Sequence, residues 1–382
     1  MSRIYLDHAA TSPIHPLVIT KMVESMEHIY GNPSSIHATG RDARKQLDQA
    51  RDHLAKSIGA NAQDIILTSG GTEADNLAIF GTAFAKKNEG SHIITSQIEH
   101  HAVLTACEKL ESEGYDVTYL PVNIEGRISI EDFKLALRDD TVLVTIMLGN
   151  NEVGTIQPIK EIGELLVDHP ATFHTDAVQA YGKMSISVEQ LQVDLLSVSS
   201  HKINGPKGIG YLYQRKGVNL SPQFLGGQQE RKRRAGTENV PGTLAFAEAV
   251  CITQKNMVEN HKIYQQFKET MTSIWEEANI DFHINGNQQD THMLPHILNV
   301  SFKGTNVESF LINLDLEGIS VSSGSACTAG SINPSHVLVA MYGEDSDELL
   351  NSVRFSFGYG TTLEDVREAA IKTTTVLQRL VK

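Results

Sequence analysis

Cysteine is scarce and unpatterned in this sequence: there are three, an odd number, with no Cys-x-x-Cys spacing. That argues against a disulfide framework and for a reducing compartment. Long apolar runs are also missing, none approaching the ~18 residues that a membrane span requires. The opening Met1-Ser2-Arg3-Ile4-Tyr5-Leu6-Asp7-His8 lacks the apolar stretch of a signal peptide. Positive charge is in deficit, with 32 Lys and Arg against 46 Asp and Glu and a net charge of −14, which speaks against a large nucleic-acid footprint. The expectation is a cytoplasmic protein with no membrane contact and no direct nucleic-acid contact. One local exception is the run Glu230-Arg231-Lys232-Arg233-Arg234. It reads either as a solvated loop or as an anion-handling one.

What is present is a regular alternation. The 382 residues suggest two or three domains at roughly 100–200 residues each. From about residue 60 to 215, short apolar runs alternate with amphipathic stretches. Strands are expected at Ile65–Thr68, Ser91–Thr95, Asp116–Leu120, Val142–Met147, Ala171–His174, Leu195–Val198 and Ile209–Tyr213. Helices are expected at Glu73–Phe84, from about Ala102, at Glu131–Leu137 and at Pro158–Val167. This pattern predicts an α/β fold with a largely parallel central sheet and helices on both faces. Beyond 215, a long helix over about 243–277, strands at Leu298–Phe302 and Ser352–Ser356, and helices from Val307 and Leu363 predict a smaller α+β domain. The N-terminal segment is expected to pack with it. The division reads as 15–255 for the large domain, with 1–14 and 256–382 forming the small one.

Ligands of such sheets sit beyond the carboxyl ends of the strands, so the residues there deserve reading one by one. Gly70-Gly71-Thr72-Glu73 follows a strand and opens a helix; it suits an anion, or is a plain turn with a capping Thr. His100 follows another strand end and reads as a polar helix start or as a ring that stacks on a flat cofactor. Gly149-Asn150-Asn151-Glu152 offers amides that could orient a carboxylate or a ring oxygen, or simply an Asx turn. Asp176, in His174-Thr175-Asp176-Ala177-Val178-Gln179, reads as a helix cap or as the partner of a pyridinium nitrogen. Lys202, in Ser199-Ser200-His201-Lys202, ends a buried strand and is fenced by glycine turns. A lysine desolvated there would be a good Schiff-base nucleophile; otherwise it snorkels to water. Lys207 is the rival, deeper in the glycine turn. Of the cysteines, Cys107 and Cys251 fit apolar helices and are expected in the core. Cys327 instead lies in Ser322-Ser323-Gly324-Ser325-Ala326-Cys327-Thr328-Ala329-Gly330, where packing explains it poorly.

Taken together, Gly71-Thr72-Glu73, Glu99-His100, Asn150-Asn151-Glu152-Val153-Gly154, Asp176-Ala177-Val178-Gln179 and Ser199-Ser200-His201-Lys202 resemble the cysteine desulfurases of the class V aminotransferase, fold type I group. The resemblance runs over nearly the whole chain, from Tyr5-Leu6-Asp7-His8-Ala9-Ala10-Thr11 to Arg354-Phe355-Ser356. It implies a pyridoxal 5'-phosphate enzyme that takes sulfur from L-cysteine, leaving L-alanine and a persulfide on Cys327. Lys202 would hold the cofactor as a Schiff base. Gly71, Thr72, Ser199 and His201 would bind its phosphate, with Thr237 reaching the phosphate of a partner subunit in a homodimer. His100 would stack on the ring and assist proton transfer. Asp176 would pair with the ring nitrogen, and Gln179 and Asn151 would contact the ring hydroxyl side. Arg354, with Asn151, would take the substrate carboxylate. The basic run would then handle anions across the dimer interface.

The resemblance also implies a sulfur acceptor, either an iron–sulfur scaffold or a tRNA thiouridine-forming enzyme. An iron–sulfur cluster touching Cys327 is a further reading; no other metal site is expected. The chain stops at Val381-Lys382, directly after the terminal helix, which leads us to expect the tRNA-modifying acceptor. Leu225-Gly226-Gly227-Gln228-Gln229 departs from the three glycines common in the family. The rival enzymes are a selenocysteine lyase and an aminotransferase, the latter having no use for a loop thiol. The rival non-enzyme is a persulfide carrier, which has no use for Lys202 and Asp176.

Overall fold

The computed structural model describes residues 3–323 and 334–380. Cys327 and most of the 322–333 loop therefore lie outside the described residues. The central sheet has seven strands, in the spatial order Ile65–Thr68, Gly210–Gln214, Leu195–Ser199, Thr172–Asp176, Thr141–Thr145, His92–Ser96 and Asp116–Leu120. The pairs among the last five strands are parallel, and Gly210–Gln214 runs antiparallel to both of its neighbours. Five of the seven strands are buried along their whole length besides the reversed Gly210–Gln214, which explains their runs of Ile, Leu and Val rather than an alternating pattern. The expected strands are all present, within two residues at each end.

The second part is built on a three-stranded antiparallel sheet with Ile297–Phe302 between Phe282–Asn285 and Ser352–Ser356. Phe282–Asn285 is too short and too mixed in polarity to stand out in the sequence. Its core gathers Trp275, Phe302, Phe310, Phe355 and Phe357, with Ile4 and Leu6 from the N-terminus. Ile4–Tyr5 pairs in parallel with Ile319–Ser320.

One helix, Val240–Glu277, joins the two cores. Asn239 caps it by accepting from the Gly242 N–H at 3.0 Å, and Pro241 sits in its first turn, where a missing N–H costs nothing. Its first part buries Val240, Leu244, Phe246 and Val250 in the larger core, and its last part buries Tyr264, Phe267, Met271 and Trp275 in the smaller. Two further helices, Pro16–His28 and Ala38–Lys56, pack against it and were not expected from the sequence.

Two expectations need correction. Cys251 is exposed, because it lies on a face of the long helix away from either core; of the two described cysteines, Cys107 is the buried one. The basic run is not a solvated loop. Glu230 is buried and paired with Arg51 at 2.6 Å, Arg234 binds Glu73 at 2.7 Å, and Arg233 donates to the carbonyls of Gln63 and Glu230. These charges are spent inside the chain, leaving Arg231 and Lys232 exposed.

Candidate active site

A cavity of about 390 Å³ opens beyond the carboxyl ends of the parallel strands. Strand and turn chemistry delivers each side chain to it. Thr172–Asp176 ends on Asp176, whose Oδ1 accepts from the Val178 N–H at 2.8 Å. Leu195–Ser199 passes into a single tight turn, Ser200–Lys202, that swings Lys202 into the same space. The strand His92–Ser96 leads to His100, whose Nδ1 caps the helix His101–Ser112 by accepting from the Ala102 N–H at 3.1 Å. That contact leaves Nε2 as the protonated nitrogen of the neutral ring.

The anion turn is well formed. Gly70 has φ 153°, a conformation that favours glycine, and no side chain caps the helix Gly71–Ala85 that it opens. The N–H groups of that first turn thus stay unspent on capping, at the positive end of the helix dipole. A Cβ on Gly71 would lie 2.8 Å from Val178 Cγ2, so the backbone approaches the cavity wall more closely than a larger residue allows. Thr72, Ser199 and His201 line the cavity beside it. His201 Nδ1 is 3.1 Å from Thr11 Oγ1.

The opposite wall is built around Arg354, from the strand Ser352–Ser356. Its Nη1 donates to the Asn151 carbonyl at 2.8 Å and its Nη2 to Asp7 Oδ1 at 3.0 Å, while Nε is buried without a partner. Asn151 lines the cavity, whereas Asn150 is structural: its Oδ1 accepts from the Glu152 and Val153 N–H groups in an Asx turn. Gln179 donates from Nε2 to the Ala9 carbonyl at 2.8 Å, and its Oε1 lies 3.3 Å from His296 Nε2.

Burial and neighbouring charge set the protonation of this site. Burial lowers Lys202 to about 8, and the Arg354 charge acts in the same direction, against Asp7 and Asp176. His100 is lowered by burial, opposed by Asp176 and helped by Lys202. Asp176 is raised by burial, with His100, the Val178 N–H and Lys202 pulling the other way. Behind Asp176, Asp75 is raised well above the carboxylate range by burial and by the Asp176 charge. His174, lowered to about 3 by burial, is neutral between Thr145 and Ser197.

The structure therefore brings together Gly71, Thr72, His100, Asn151, Asp176, Gln179, Ser199, His201, Lys202 and Arg354 around one cavity. It does not bring Thr237, which lies in a separate depression with Ser69, Gly208 and Arg234. Lys207, the rival lysine, is exposed and lines no part of the cavity. Sequence reading missed Asp7, Asp75, Ser322 and His336, which also line or brace the site. Asp75 had a signal, since it falls three residues after Thr72 on the same helix face. His336, whose Nε2 lies 2.9 Å from the Glu99 carbonyl, had none. Among the described residues no cluster of His, Cys, Asp and Glu could hold a metal ion.

The chain is similar to known proteins over nearly its whole length. The model of the aminotransferase class-V family matches residues 4–368. A relative from Bacillus subtilis (strain 168), described as a putative cysteine desulfurase IscS 1, is 57% identical over 380 residues, covering 100% of both chains. A solved structure described as a NifS-like protein superposes with TM-score 0.92 at 34% identity, covering 99% of this chain and 100% of its own. Another, described as SspA in complex with cysteine, superposes with TM-score 0.80 at 36% identity over 92% of this chain and 98% of its own.

Proposed function

The chain belongs to the class-V aminotransferase family, and from that premise we propose that it is a pyridoxal-phosphate-dependent cysteine desulfurase. One observation carries the reading: the uncapped turn at Gly71 and Thr72, the carboxylate of Asp176, the ring of His100 and the low-pKa amine of Lys202 all line one cavity. Pyridoxal phosphate has an anionic group, a basic ring nitrogen, a flat face and an aldehyde, and these residues offer one partner for each.

Gly71, Thr72, Ser199 and His201 hold the phosphate in this reading, Asp176 the ring nitrogen, His100 the face and Gln179 the hydroxyl side. When bound, the cofactor supplies an electron sink for cleavage at the substrate's α- and β-carbons. The protein's own part is binding, orientation and proton movement. Arg354 binds the carboxylate of L-cysteine, a task that suits a planar guanidinium, while Asn151 holds the adjoining wall. Near pH 8 about half of Lys202 is neutral, so its Nζ can both capture the cofactor and carry the α-proton. His100, neutral with Nδ1 spent on the helix cap, would stack on the cofactor ring and leave Nε2 for proton transfer. Cys327 then takes the sulfur: its thiolate bonds to the substrate sulfur as the carbon–sulfur bond breaks, the electron pair of that bond stays with the β-carbon, which is protonated, and L-alanine leaves with a persulfide on the enzyme.

No helix among the described residues is long and apolar enough to cross a membrane. A cytoplasmic homodimer, with Thr237 serving the partner's site and an acceptor protein receiving the sulfur, completes the proposal. Thr237 lines a depression separate from the cavity, which suits a role in trans. The test is direct. Purified protein loaded with the cofactor should be yellow and should release one alanine per sulfide from L-cysteine under reductant. Cys327→Ala should keep the colour and lose sulfide release; undiminished turnover in that variant would sink the mechanism.

A further inference from the structure

Asp7 is tied to the site in two directions. Its Oδ1 accepts from Arg354 Nη2 at 3.0 Å, and its Oδ2 accepts from Ser322 Oγ at 2.8 Å. The backbones of Ser322 and Arg354 are themselves paired, with the Arg354 N–H donating to the Ser322 carbonyl at 2.7 Å and the reverse bond at 3.3 Å. The three residues form a closed ring of contacts drawn from three distant parts of the chain. The Arg354 side chain is 5% exposed and Asp7 is 18% exposed, so water competes little for the pair. Arg354 spends only Nη1 and Nη2 on the protein, one hydrogen each, and Nε finds no partner. A guanidinium has five N–H donors, so most of its capacity is left for a ligand.

We propose that Asp7 is a positioning residue for substrate selection: it fixes the rotation of the Arg354 guanidinium so that the unspent donors meet the carboxylate of an α-amino acid, and Ser322 in turn fixes Asp7. The inference rests on the desulfurase reading and deepens it by naming what distinguishes an amino acid from a simple amine in this cavity. The alternative role for Asp7, that of a bare counter-charge, has the opposite sign. Removing a negative charge beside Arg354 would strengthen binding of an anion, whereas removing a positioning contact weakens it.

The experiment titrates cofactor-loaded enzyme with L-alanine and with ethylamine, following the cofactor's absorbance, so no turnover is needed. Asp7→Ala should weaken L-alanine by about tenfold, the scale of one charge-assisted hydrogen bond, and leave ethylamine within about twofold. Asp7→Asn keeps an acceptor for Arg354 and should recover most of the loss. Ser322→Ala should fall between wild type and Asp7→Ala. Equal weakening of both ligands in Asp7→Ala, unchanged or tighter L-alanine, or an Asp7→Asn as impaired as Asp7→Ala overturns the proposal. A wild-type enzyme that takes up cofactor but does not respond to L-alanine defeats the desulfurase reading itself, and is seen before any variant is made.

Discussion

Lys202 donates from Nζ to the carbonyl of Ala10 at 2.8 Å, with the neighbouring Ala9 carbonyl as a second acceptor. Two backbone carbonyls from the N-terminal segment thus hold an amine that the chain supplies 192 residues later. They hold it without supplying a negative charge, so burial still decides its protonation.

The pH dependence follows from that environment. Lys202 is lowered from 10.5 to about 8, so above pH 8 the folded amine is mostly neutral. Capture of added pyridoxal phosphate by cofactor-free protein should accelerate through pH 8 and level off beyond it. Stability carries the opposite face of the same shift. The cost of burying the charged amine is full below pH 8, shrinks between pH 8 and 10.5, and is lost above pH 10.5, where both folded and unfolded states are neutral. Cofactor-free Lys202→Met should therefore be more stable than wild type at pH 7, with the gap closing toward pH 10.5 in urea titrations. The same variant should lose about 10²-fold or more in sulfide release.

Glycine at position 71 is set by the room it leaves. A Cβ there lies 2.8 Å from Val178 Cγ2, so Gly71→Ala must push either the turn or Val178. Cofactor affinity should fall by roughly tenfold, about 1.4 kcal/mol, as read by equilibrium dialysis. Gly71→Ala with Val178→Ala should regain most of it, since the clash is with a side chain and not with backbone.

The buried pair of Arg51 and Glu230 anchors a strained segment. Glu230, Arg231 and Lys232 all have positive φ, at 46°, 58° and 68°, which non-glycine residues rarely adopt. Glu230 is held by Arg51 through two bonds, at 2.6 and 2.7 Å, and by the Leu67 N–H at 3.1 Å. Arg51→Met leaves that carboxylate buried and should destabilise the fold by about 3–5 kcal/mol in denaturant melts. Adding Glu230→Gln should return more than half of the loss.

The thiols should separate by accessibility. Cys251 is exposed and should react with a thiol reagent in native protein. Cys107 is buried, and desolvation pushes its pKa up, so it should react only after unfolding. Mass mapping of the labelled sites checks both, and Cys251→Ser should leave sulfide release intact.

Much of the site was legible because each residue stands at a strand end. Asp176, Lys202 and His100 each follow an apolar run, and a parallel sheet brings all such ends to one side. Arg354 differs, since it lies inside a strand of the smaller part and enters the cavity only because that part packs over the sheet. Asp7 carried no sign of its function, because its partners are 315 and 347 residues away. The basic run misled for a related reason. Its charges look unpaired along the chain, yet Arg234 pairs with Glu73 and Glu230 with Arg51, both partners distant in sequence.

The sequence by itself determined the strands, the turn at Gly71 and Thr72, and the place of Lys202 just past a strand end, because hydrophobic period and glycine placement act over a few residues. Only the tertiary structure decided that Lys202 rests on the Ala9 and Ala10 carbonyls, that Asp7 braces Arg354, and that Thr237 stands apart from its own cavity. Those contacts close chain loops of nearly two hundred residues or more, or turn on which face a loop presents. Local preference does not encode them; the packing of the smaller part and the N-terminal segment against the sheet does.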